Sequence, residues 1–515
     1  MRIQLNDNLN ECLNKMCETN YIYKNPLLYG ALIASLWGIV LGGCKNRNLE
    51  NEAISDLPNI IFIMADDLGW ADVGYNGNEF FETPNIDRLA REGMTFDQFY
   101  PSAANCAPSR AGILTGMYGP RHHVYLPQGY ARPGNIDKMR WKVPTFEEDS
   151  SYQTFQVNIN HVDSSFTSLA EVLNIAGYQT ARFGKWHIGD DNQGFQENSS
   201  TGIMGEFSNK NGIEKRYYND TTVAEKLTDA AISFMEENRE NPFFIYLSHW
   251  EAHTPMSAKS QRINYYESKR NRSGVEIYNA VYAAEVEQVD ISVGRIMKRL
   301  KELGLEENTL IVFTSDNGGL SEITSNKPLK SGKGTFYEGG IRVPMCIKWP
   351  QVIKPNSICT KTVSGVDFMP TFADMVNLPP PTSQPVDGVS ILPLLKGDTI
   401  MNRSIFFHFP LYLKGGKHDS VLPIYGSQQK HWRAVPSTTI IRGDWKLIYY
   451  YEYDNFELFN LKNDISESKN LGSIEKEIAQ SLLEEIRIWT NDVKAPVPDK
   501  ENEKFIKQNE EPNFL

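Results

Sequence analysis

The sequence predicts an α/β fold: a large mixed, mostly parallel sheet flanked by helices, and a smaller C-terminal α+β domain with an antiparallel sheet. Two observations lead to this prediction. From residue 58 to 397, apolar and β-branched runs alternate with amphipathic helical patterns, which is typical of parallel strands joined by right-handed crossovers. From residue 398 to 515, short aromatic strands and tight turns replace that pattern, which favours antiparallel pairing.

The first predicted element is a strand at Asn59–Ala65, because this run is almost entirely apolar, as a strand buried on both faces should be. Thr83 and Pro84 then begin a helix, as cap and first residue, and Gly93 ends it. The following elements alternate in the same way. They are a helix at 169–176, a strand at Gln179–Gly184, a helix at 221–238, a strand at Phe243–Ser248, a long helix carrying residues 286–300 and a strand at Thr309–Ser315.

The C-terminal region has shorter elements. Strands are predicted at 405–409, 438–442, 446–451 and 456–459. Turn residues at Gly443-Asp444 and Asp454-Asn455 separate the last three of them. An amphipathic pattern at 474–489 predicts a last helix, which would cover one face of this sheet.

The N-terminus predicts export. Residues 27–43 carry no charge and are followed directly by Cys44, a run that suits the apolar region of a secretory signal better than a transmembrane span. Its Leu-Gly-Gly-Cys ending resembles a bacterial lipobox. Residues 1–44 are therefore predicted to be a lipoprotein leader with lipid on Cys44, and residues 45–57 a polar tether, with an uncleaved membrane anchor as the alternative. We expect a periplasmic or outer-membrane, cell-surface protein that meets the membrane only through this anchor.

Composition excludes several function classes. The 515 residues carry a formal net charge of −12, which argues against nucleic acid as a partner because phosphates require clustered Lys and Arg. Hydrophobic residues at 40% and charged residues at 23% are ordinary globular values. Six cysteines without a CxxC pair exclude a zinc finger. Cys346 lies in an apolar run and is expected to be a core thiol, with a disulfide to Cys359 as the alternative.

Polar side chains follow four of the predicted strands. They are Asp66 and Asp67 after the first strand, Lys185 and His187 after the second, His249 and His253 after the third, and Asp316 and Asn317 after the last. Ligands of open α/β sheets bind at the carboxyl ends of strands. The oxygen donors among these residues favour Ca²⁺ or Mg²⁺ over Zn²⁺. Helix capping and a loop turn are the alternative for the acids and the amide.

Cys106 begins the run Cys-Ala-Pro-Ser-Arg, ahead of a short helical or turn segment at 111–116. A cysteine near a helix N-terminus, with Arg110 four residues on, lies where anions bind. A buried structural thiol is one interpretation. A thiolate phosphatase is another, but it needs a longer loop between Cys and Arg to surround a phosphate.

The run Cys106-Ala107-Pro108-Ser109-Arg110 resembles the signature of type I sulfatases, in which the cysteine is oxidised to formylglycine after synthesis. The resemblance continues through five further motifs in the family's order, over roughly residues 59–470. They are ADDLGW around Asp66-Asp67, GYQT followed by GKWH within 177–187, HWEAHTP at 249–255, SDNG at 315–318 and GKG at 332–334.

The resemblance implies an alkaline-phosphatase-like fold and a sulfuric ester hydrolase acting through a hydrated formylglycine at position 106. One oxygen of that diol would attack sulfur. A single calcium ion would be held by Asp66, Asp67, Asp316, Asn317 and the modified Cys106. The implied catalytic residues are Cys106, Arg110, Lys185, His187, His253, Asp316 and Lys333.

The resemblance also implies a role for each residue. Arg110, Lys185 and Lys333 would add positive charge around the sulfate, and Asp316 would take the proton of the attacking hydroxyl. His253 or Lys333 would protonate the departing sugar alkoxide. His187 would draw the second diol proton, which releases sulfate and regenerates the aldehyde. The implied protein partner is a formylglycine-generating or anaerobic sulfatase-maturating enzyme.

Two other function classes stay open: a metal-dependent phosphatase or phosphodiesterase of the alkaline-phosphatase superfamily, and a non-catalytic glycan-binding lipoprotein. The first would need several His ligands for two zinc ions, and the strand ends supply oxygen ligands for one metal. The expected substrate is a sulfated saccharide. Candidates for the sugar pocket are residues 408–413, the basic loop at 417–432 and Arg433, with a solvated loop as the alternative.

Overall fold

The computed structural model describes residues 57–126, 136–143, 161–189, 191–198, 223–273, 278–414, 432–452 and 454–505. The predicted leader at 1–44, nearly all of the predicted tether and nearly all of the basic loop at 417–432 lie outside these residues. Within the described residues, no helix combines the length and apolar character needed to cross a membrane.

Sixteen strands are present in the described residues. They are β1 (Asn59–Ala65), β2 (Met94–Phe96), β3 (Phe99–Tyr100), β4 (Gln179–Gly184), β5 (Glu197–Asn198), β6 (Phe243–Ser248), β7 (Thr309–Ser315), β8 (Met345–Lys348), β9 (Ser357–Cys359), β10 (Val363–Ser364), β11 (Ser404–Phe409), β12 (Leu413–Lys414), β13 (Trp432–Ala434), β14 (Ser437–Arg442), β15 (Trp445–Tyr450) and β16 (Asn455–Asn460).

Eight of these strands form one sheet in the order β5-β4-β6-β1-β7-β8-β2-β9. β1 pairs in parallel with both β6 and β7, and β4 pairs in parallel with β6. β8 is antiparallel to its neighbours β7 and β2. The predicted large, mixed and mostly parallel sheet is therefore confirmed.

Eleven α-helices accompany the strands in the described residues. They are α1 (Pro84–Glu92), α2 (Cys106–Thr115), α3 (Gly119–His122), α4 (Leu169–Ile175), α5 (Val223–Glu237), α6 (Ser260–Ser273), α7 (Ala280–Leu303), α8 (Glu338–Ile341), α9 (Phe368–Met375), α10 (Leu392–Leu395) and α11 (Lys476–Asp492). Short 3₁₀ turns lie at Gly74–Asn76, Ile136–Lys138 and Gly365–Asp367.

Helices cover both faces of the large sheet. Every residue of β1 is buried, and successive side chains of a strand point to opposite faces. Ile60 and Phe62 belong to a hydrophobic cluster that contains residues of α4 and α9. Ile61 and Ile63 belong to a second cluster, with residues of α5 and α7. Burying each such side chain stabilises the fold by roughly 1.5–3 kcal/mol.

The C-terminal region contains the second sheet, with the order β11-β14-β15-β16 and antiparallel pairing throughout. Helix α11 buries Ala479, Leu482 and Ile486 in a hydrophobic cluster shared with this sheet. The predicted antiparallel sheet and covering helix are thus confirmed. The predicted domain boundary near residue 397 stays a prediction. One hydrophobic cluster contains both Ile341, which precedes this boundary, and Ile405, which follows it.

Cys346 and Cys359 are buried with free thiols. Cys346 lies on β8 and is fully enclosed in the cluster with α5 and α7. The expected core thiol is therefore confirmed, and the alternative disulfide is not formed.

Glu452 provides a test of the C-terminal packing. Its carboxylate accepts a hydrogen bond from the Tyr412 hydroxyl, and burial raises the pKa of Glu452 from 4.5 to about 7. Because the folded chain binds this proton more tightly than the unfolded chain, the resulting stability is complete below about pH 4.5 and is lost as the pH rises through 7. We expect Glu452→Gln, which keeps an acceptor oxygen without the charge, to raise the free energy of unfolding by about 1–3 kcal/mol at pH 8.

Urea unfolding at pH 8 and near pH 4 measures this effect, since little change is expected at the lower pH. Glu484→Gln, on the exposed side of α11, is the control. An equal change in unfolding free energy at both pH values would contradict the prediction.

Candidate active site

Two neighbouring strands bring the predicted oxygen donors together. Asp66 and Asp67 follow β1, and Asp316 and Asn317 follow β7. Ala65 pairs in register with Ser315, so the acids and the amide emerge side by side at the carboxyl edge of the sheet. All four side chains are buried.

Hydrogen bonds connect these donors but leave two oxygens unpartnered. The backbone N–H of Asp67 donates to Asp316 Oδ1 at 3.2 Å, and Asn317 Nδ2 donates to Asp67 Oδ1 at 2.8 Å. Asp66 Oδ1 and Asn317 Oδ1 are buried and have no hydrogen-bond partner. A buried oxygen without a partner costs free energy, and a cation bound by these oxygens would remove that cost. The donor set fits calcium, which prefers carboxylate and amide oxygens.

One further side chain with a potential metal-ligand atom lies close to the acids. Asp66, Asp67 and His253 each present a ligand atom within 4.8 Å of the others. His253 Nε2 is 3.7 Å from Asp67 Oδ2. The sequence places His253 at the same sheet edge but does not predict that it contacts the carboxylates. Burial lowers the pKa of His253 to about 3, so the imidazole is neutral near pH 7.

The two adjacent carboxyls differ in their electrostatics. Burial and the negative charge of Asp316 raise the pKa of Asp66 to about 7. Burial also opposes ionisation of Asp67, but the ammonium of Lys333 outweighs it and holds the pKa of Asp67 below its usual range. Of these two carboxyls, Asp66 is therefore the one whose charge is less compensated, and it also carries an unpartnered oxygen.

Cys106 is the first residue of α2, with Asn105 in extended conformation before it. The helix predicted at 111–116 thus begins earlier, because Pro108 falls in the first turn, where proline is tolerated. Cys106 is 1% exposed, and its Sγ lies 3.3 Å from His187 Nδ1. Burial raises the pKa of the Cys106 thiol. An unmodified Cys106 is therefore not an activated thiolate, which argues against a thiolate phosphatase.

Arg110 lies one turn after Cys106 and is fully buried. Its Nε and Nη2 both donate to Asp316 Oδ2, at 2.9 and 2.7 Å. Its Nη1 donates to the Lys185 carbonyl at 2.9 Å and to the Ser248 hydroxyl. The guanidinium thus links α2 to the ends of β4, β6 and β7.

Two lysines complete the positive side of the site. Lys185 Nζ donates to Asp66 Oδ2 and lies 5.6 Å from the centre of the Trp250 ring. Lys333 Nζ lies 2.6 Å from Asp67 Oδ1. Burial opposes the charge of Lys333, but Asp67 more than compensates and raises the pKa of Lys333 above its usual range. The site therefore brings ammonium groups directly against the candidate metal ligands.

The histidines after the strands divide into two groups. His187 lies beside Cys106, and burial lowers the pKa of His187 well below its usual range, so the imidazole is neutral near pH 7. His249 is fully buried, and its Nε2 lies 3.1 Å from Ser292 Oγ on α7. Ser248 and Trp250 are site residues that the sequence did not predict, although both lie at the end of β6, whose polar ending is visible in the sequence.

Comparison with known proteins identifies the family to which this site and fold belong. A family model described as sulfatase matches residues 58–378, and one described as the C-terminal part of N-sulphoglucosamine sulphohydrolase matches residues 332–492. A sulfatase of Formosa agariphila is 31% identical over 92% of this chain and 94% of its own length. N-acetylgalactosamine-6-sulfatase of Mus musculus is 32% identical over 68% of this chain and 68% of its own.

A solved structure is similar as well. The crystal structure of Ps i-CgsB in complex with k-i-k-neocarrahexaose has a TM-score of 0.65 and 28% identity, and covers 86% of this chain and 95% of that chain. Fold and site thus define a hydrolase with an alkaline-phosphatase-like architecture. The chain belongs to the sulfatase family and is a sulfuric ester hydrolase.

Proposed function

We propose that this enzyme removes sulfate from a sulfated carbohydrate, using a formylglycine made from Cys106 and one calcium ion. The observation that carries the proposal is the pair of buried, unpartnered oxygens, Asp66 Oδ1 and Asn317 Oδ1, in the same site as a cysteine at the start of α2. The N-acetylgalactosamine-6-sulfatase relative and the oligosaccharide in the Ps i-CgsB complex support a carbohydrate as the substrate class.

The protein groups that would hold the ion are Asp66, Asp67, Asp316 and Asn317, with the side chain at position 106 as a further ligand. When bound, calcium supplies positive charge that polarises a sulfate oxygen. Formylglycine supplies a hydrated aldehyde in place of a thiol that burial keeps protonated.

The chain's own residues bind the anion and move protons. The Arg110 guanidinium, held by Asp316, and the ammonium groups of Lys185 and Lys333 offset the negative charge of the sulfate and orient it. His187 Nδ1, 3.3 Å from the Cys106 side chain, accepts a proton from an oxygen at that position.

Proton transfer also involves the carboxylate side of the site. Asp316 accepts the proton of the attacking hydroxyl. His253 and Lys333, which both lie beside Asp67, are the two candidates for protonating the departing sugar oxygen. The Lys333 ammonium carries a proton to donate, whereas the neutral His253 would first have to take one up. This donation is needed because a sugar alkoxide is too basic to leave unaided.

We also propose that the enzyme is an exported lipoprotein with lipid on Cys44, matured by a formylglycine-generating or anaerobic sulfatase-maturating enzyme. A bacterial sulfatase among the relatives is consistent with such a setting. Mass spectrometry of the membrane fraction would detect the lipid on Cys44, and a protein that remains in the soluble fraction would contradict it.

A substrate panel tests the proposed activity. The enzyme is assayed with sulfated mono- and disaccharides of defined sulfate position, with 4-nitrophenyl sulfate, and with the matching phosphate esters. Release of sulfate from a saccharide, faster than from the aryl ester, is the expected result. Hydrolysis of the phosphate esters alone would favour the phosphatase alternative and overturn the proposal.

Arg433 is predicted to contribute to recognition of the sugar. It lies on β13 against the segment that carries Lys333, since a Cβ at Gly334 would be 2.8 Å from Arg433 Cδ. Its guanidinium pairs with Glu322. We expect Arg433→Ala to lower kcat/KM for the best saccharide by about 10–100-fold, and for 4-nitrophenyl sulfate by less than about threefold. The aryl ester lacks sugar hydroxyls and carries no anionic group besides the sulfate that is hydrolysed, so it offers a guanidinium outside the sulfate site nothing to bind.

The matched control is Arg442→Ala on β14, whose partner is Glu485 on α11 at 2.9 Å. This variant is expected to leave both activities unchanged. An equal loss on the two substrates in Arg433→Ala would contradict a role in sugar recognition.

A further inference from the structure

The segment that carries Lys333 is held at both ends by the C-terminal region. We call residues 330–338 the Lys333 loop. At its start, Lys330 Nζ donates to the Glu467 carbonyl at 3.2 Å. At its end, the backbone N–H of Glu338 donates to Glu467 Oε2 at 2.7 Å. A single residue, Glu467, which follows the last strand of the second sheet, therefore contacts the loop on both sides of Lys333.

A buried ion network reinforces the end of the loop. Lys446, on β15, lies 3.0 Å from Glu338 Oε1 and 2.8 Å from Glu467 Oε1. The Tyr100 hydroxyl and Arg342 Nη1 both donate to Glu338 Oε2, at 3.0 and 3.2 Å. Lys446, Glu338 and Glu467 are all 0% exposed. Removing one member of a buried ion network leaves its partners uncompensated, so this network tolerates little displacement of the loop.

The middle of the loop contacts the chain near two residues of the active site, Asn317 and Cys106. The Lys333 N–H donates to the Gly319 carbonyl at 3.0 Å, just beyond Asn317, and the Gly334 N–H donates to the Ala104 carbonyl at 2.8 Å, just before Cys106. The side chain of Lys333 reaches Asp67 Oδ1 at 2.6 Å. A shift of the loop ends is therefore transmitted to the ammonium group and to both backbone contacts.

We propose that Lys446 and Glu467 are positioning residues, which hold the Lys333 ammonium in its place beside Asp67 from the C-terminal sheet. This inference rests on the proposed catalytic role of Lys333. Displacing a catalytic group by about 1 Å can lower the rate on the order of 10²-fold. The second sheet would thus contribute directly to turnover as well as to the fold.

A double-mutant cycle tests the proposal in the full-length, matured, calcium-loaded enzyme. The substrate is the sulfate ester that the wild type hydrolyses fastest. We expect Lys446→Met to lower kcat at least about tenfold in the wild-type background and less than about twofold in a Lys333→Ala background. This non-additivity follows because, once the ammonium is absent, its position no longer matters. An equal loss of kcat in both backgrounds would assign Lys446 a purely structural role and overturn the proposal.

Hydrogen exchange provides a readout that needs no substrate. In Lys446→Met, the amides of Lys333 and Gly334 are expected to exchange about tenfold faster than in the wild type. Leu482→Ala, which empties a buried site between α11 and the second sheet, is the control for general destabilisation and should leave both kcat and this exchange unchanged. Unchanged exchange in Lys446→Met, or equal effects in the control, would overturn the proposal.

A second variant decides the question if Lys446→Met does not fold. Lys330→Met removes the bond from the start of the loop to Glu467 at a partly exposed residue, and the same cycle with Lys333→Ala and the same exchange measurement apply. An equal loss of kcat from Lys330→Met in the wild-type and Lys333→Ala backgrounds would also overturn the proposal. If Lys333→Ala itself keeps full activity, the proposed role of Lys333 fails, while hydrogen exchange still reports whether the C-terminal residues hold the loop.

Discussion

Replacing Cys106 with alanine is expected to abolish sulfate-ester hydrolysis, with a fall in kcat of about 10⁴-fold or more, as found when a catalytic nucleophile is removed. Alanine is chosen because it has no heteroatom that can be oxidised to an aldehyde. The buried thiol of Cys106 also has a raised pKa, so the unmodified cysteine is a poor nucleophile. Loss of the modification and loss of the side chain should therefore have similar effects on turnover.

Two measurements check this prediction. Mass spectrometry of the wild-type peptide containing Cys106 should detect the aldehyde, at a lower mass than the encoded cysteine peptide. Cys359→Ala, a matched change at a buried thiol on β9, should keep its activity. Full activity from a wild-type protein with an unmodified Cys106 would contradict the mechanism.

Removing the calcium ion that we propose is expected to have the second largest effect. The buried Asp66 Oδ1 and Asn317 Oδ1 have no hydrogen-bond partner, and Asp66 and Asp67 present carboxylate oxygens within 4.8 Å of each other. Metal-free protein should therefore lose activity by about 100-fold or more, in line with the several kcal/mol that a metal contributes to a charged transition state. Calcium at about one hundred times its Kd should raise the free energy of unfolding by about 2.7 kcal/mol. Chelation followed by readdition, with activity and thermal unfolding as readouts, measures both effects.

A variant links this effect to the proposed site. Asn317→Ala should weaken calcium binding at least about tenfold, since changing even residues that only support a ligand costs that much. Asn308→Ala provides the matched control, because Asn308 precedes β7 at the opposite end of the same strand and donates to the Leu57 carbonyl. Calcium affinity that is equal in the two variants, or activity that survives chelation, would contradict the assignment.

The interior of the large sheet could be predicted from the sequence. β1, β4, β6 and β7 have the predicted bounds. β1, β6 and β7 are largely apolar runs followed by polar residues, whereas β4 is of mixed composition. The short strand β2 and the edge strand β9 were not predicted, since each has three residues and pairs with a distant part of the chain. Helix α6 was also missed. Its sequence is almost entirely polar and carries no apolar stripe.

The active site, like the fold, could be predicted only in part from the sequence. The sequence predicts that four residues lie together, because they follow predicted parallel strands, which end at the same edge of a sheet. These residues are Asp66, Asp67, Asp316 and Asn317. Lys333 follows no predicted strand and came from the family resemblance alone. Its contacts with the C-terminal network around Lys446 depend on tertiary packing between distant segments. No local pattern in the sequence carries that information.

The burial of Cys106 has a consequence for the order of events in the life of the protein. A side chain that is 1% exposed, at the start of a helix whose residues are all buried, cannot enter the active site of another enzyme. A maturating enzyme of the kind we propose would therefore have to act while this segment is still extended, before α2 forms. Folding would then close access to the residue, and under the proposed mechanism a molecule that folds too early would keep its cysteine and remain inactive. Under the proposed maturation, the fraction of active enzyme would be set by a competition between the rates of modification and folding.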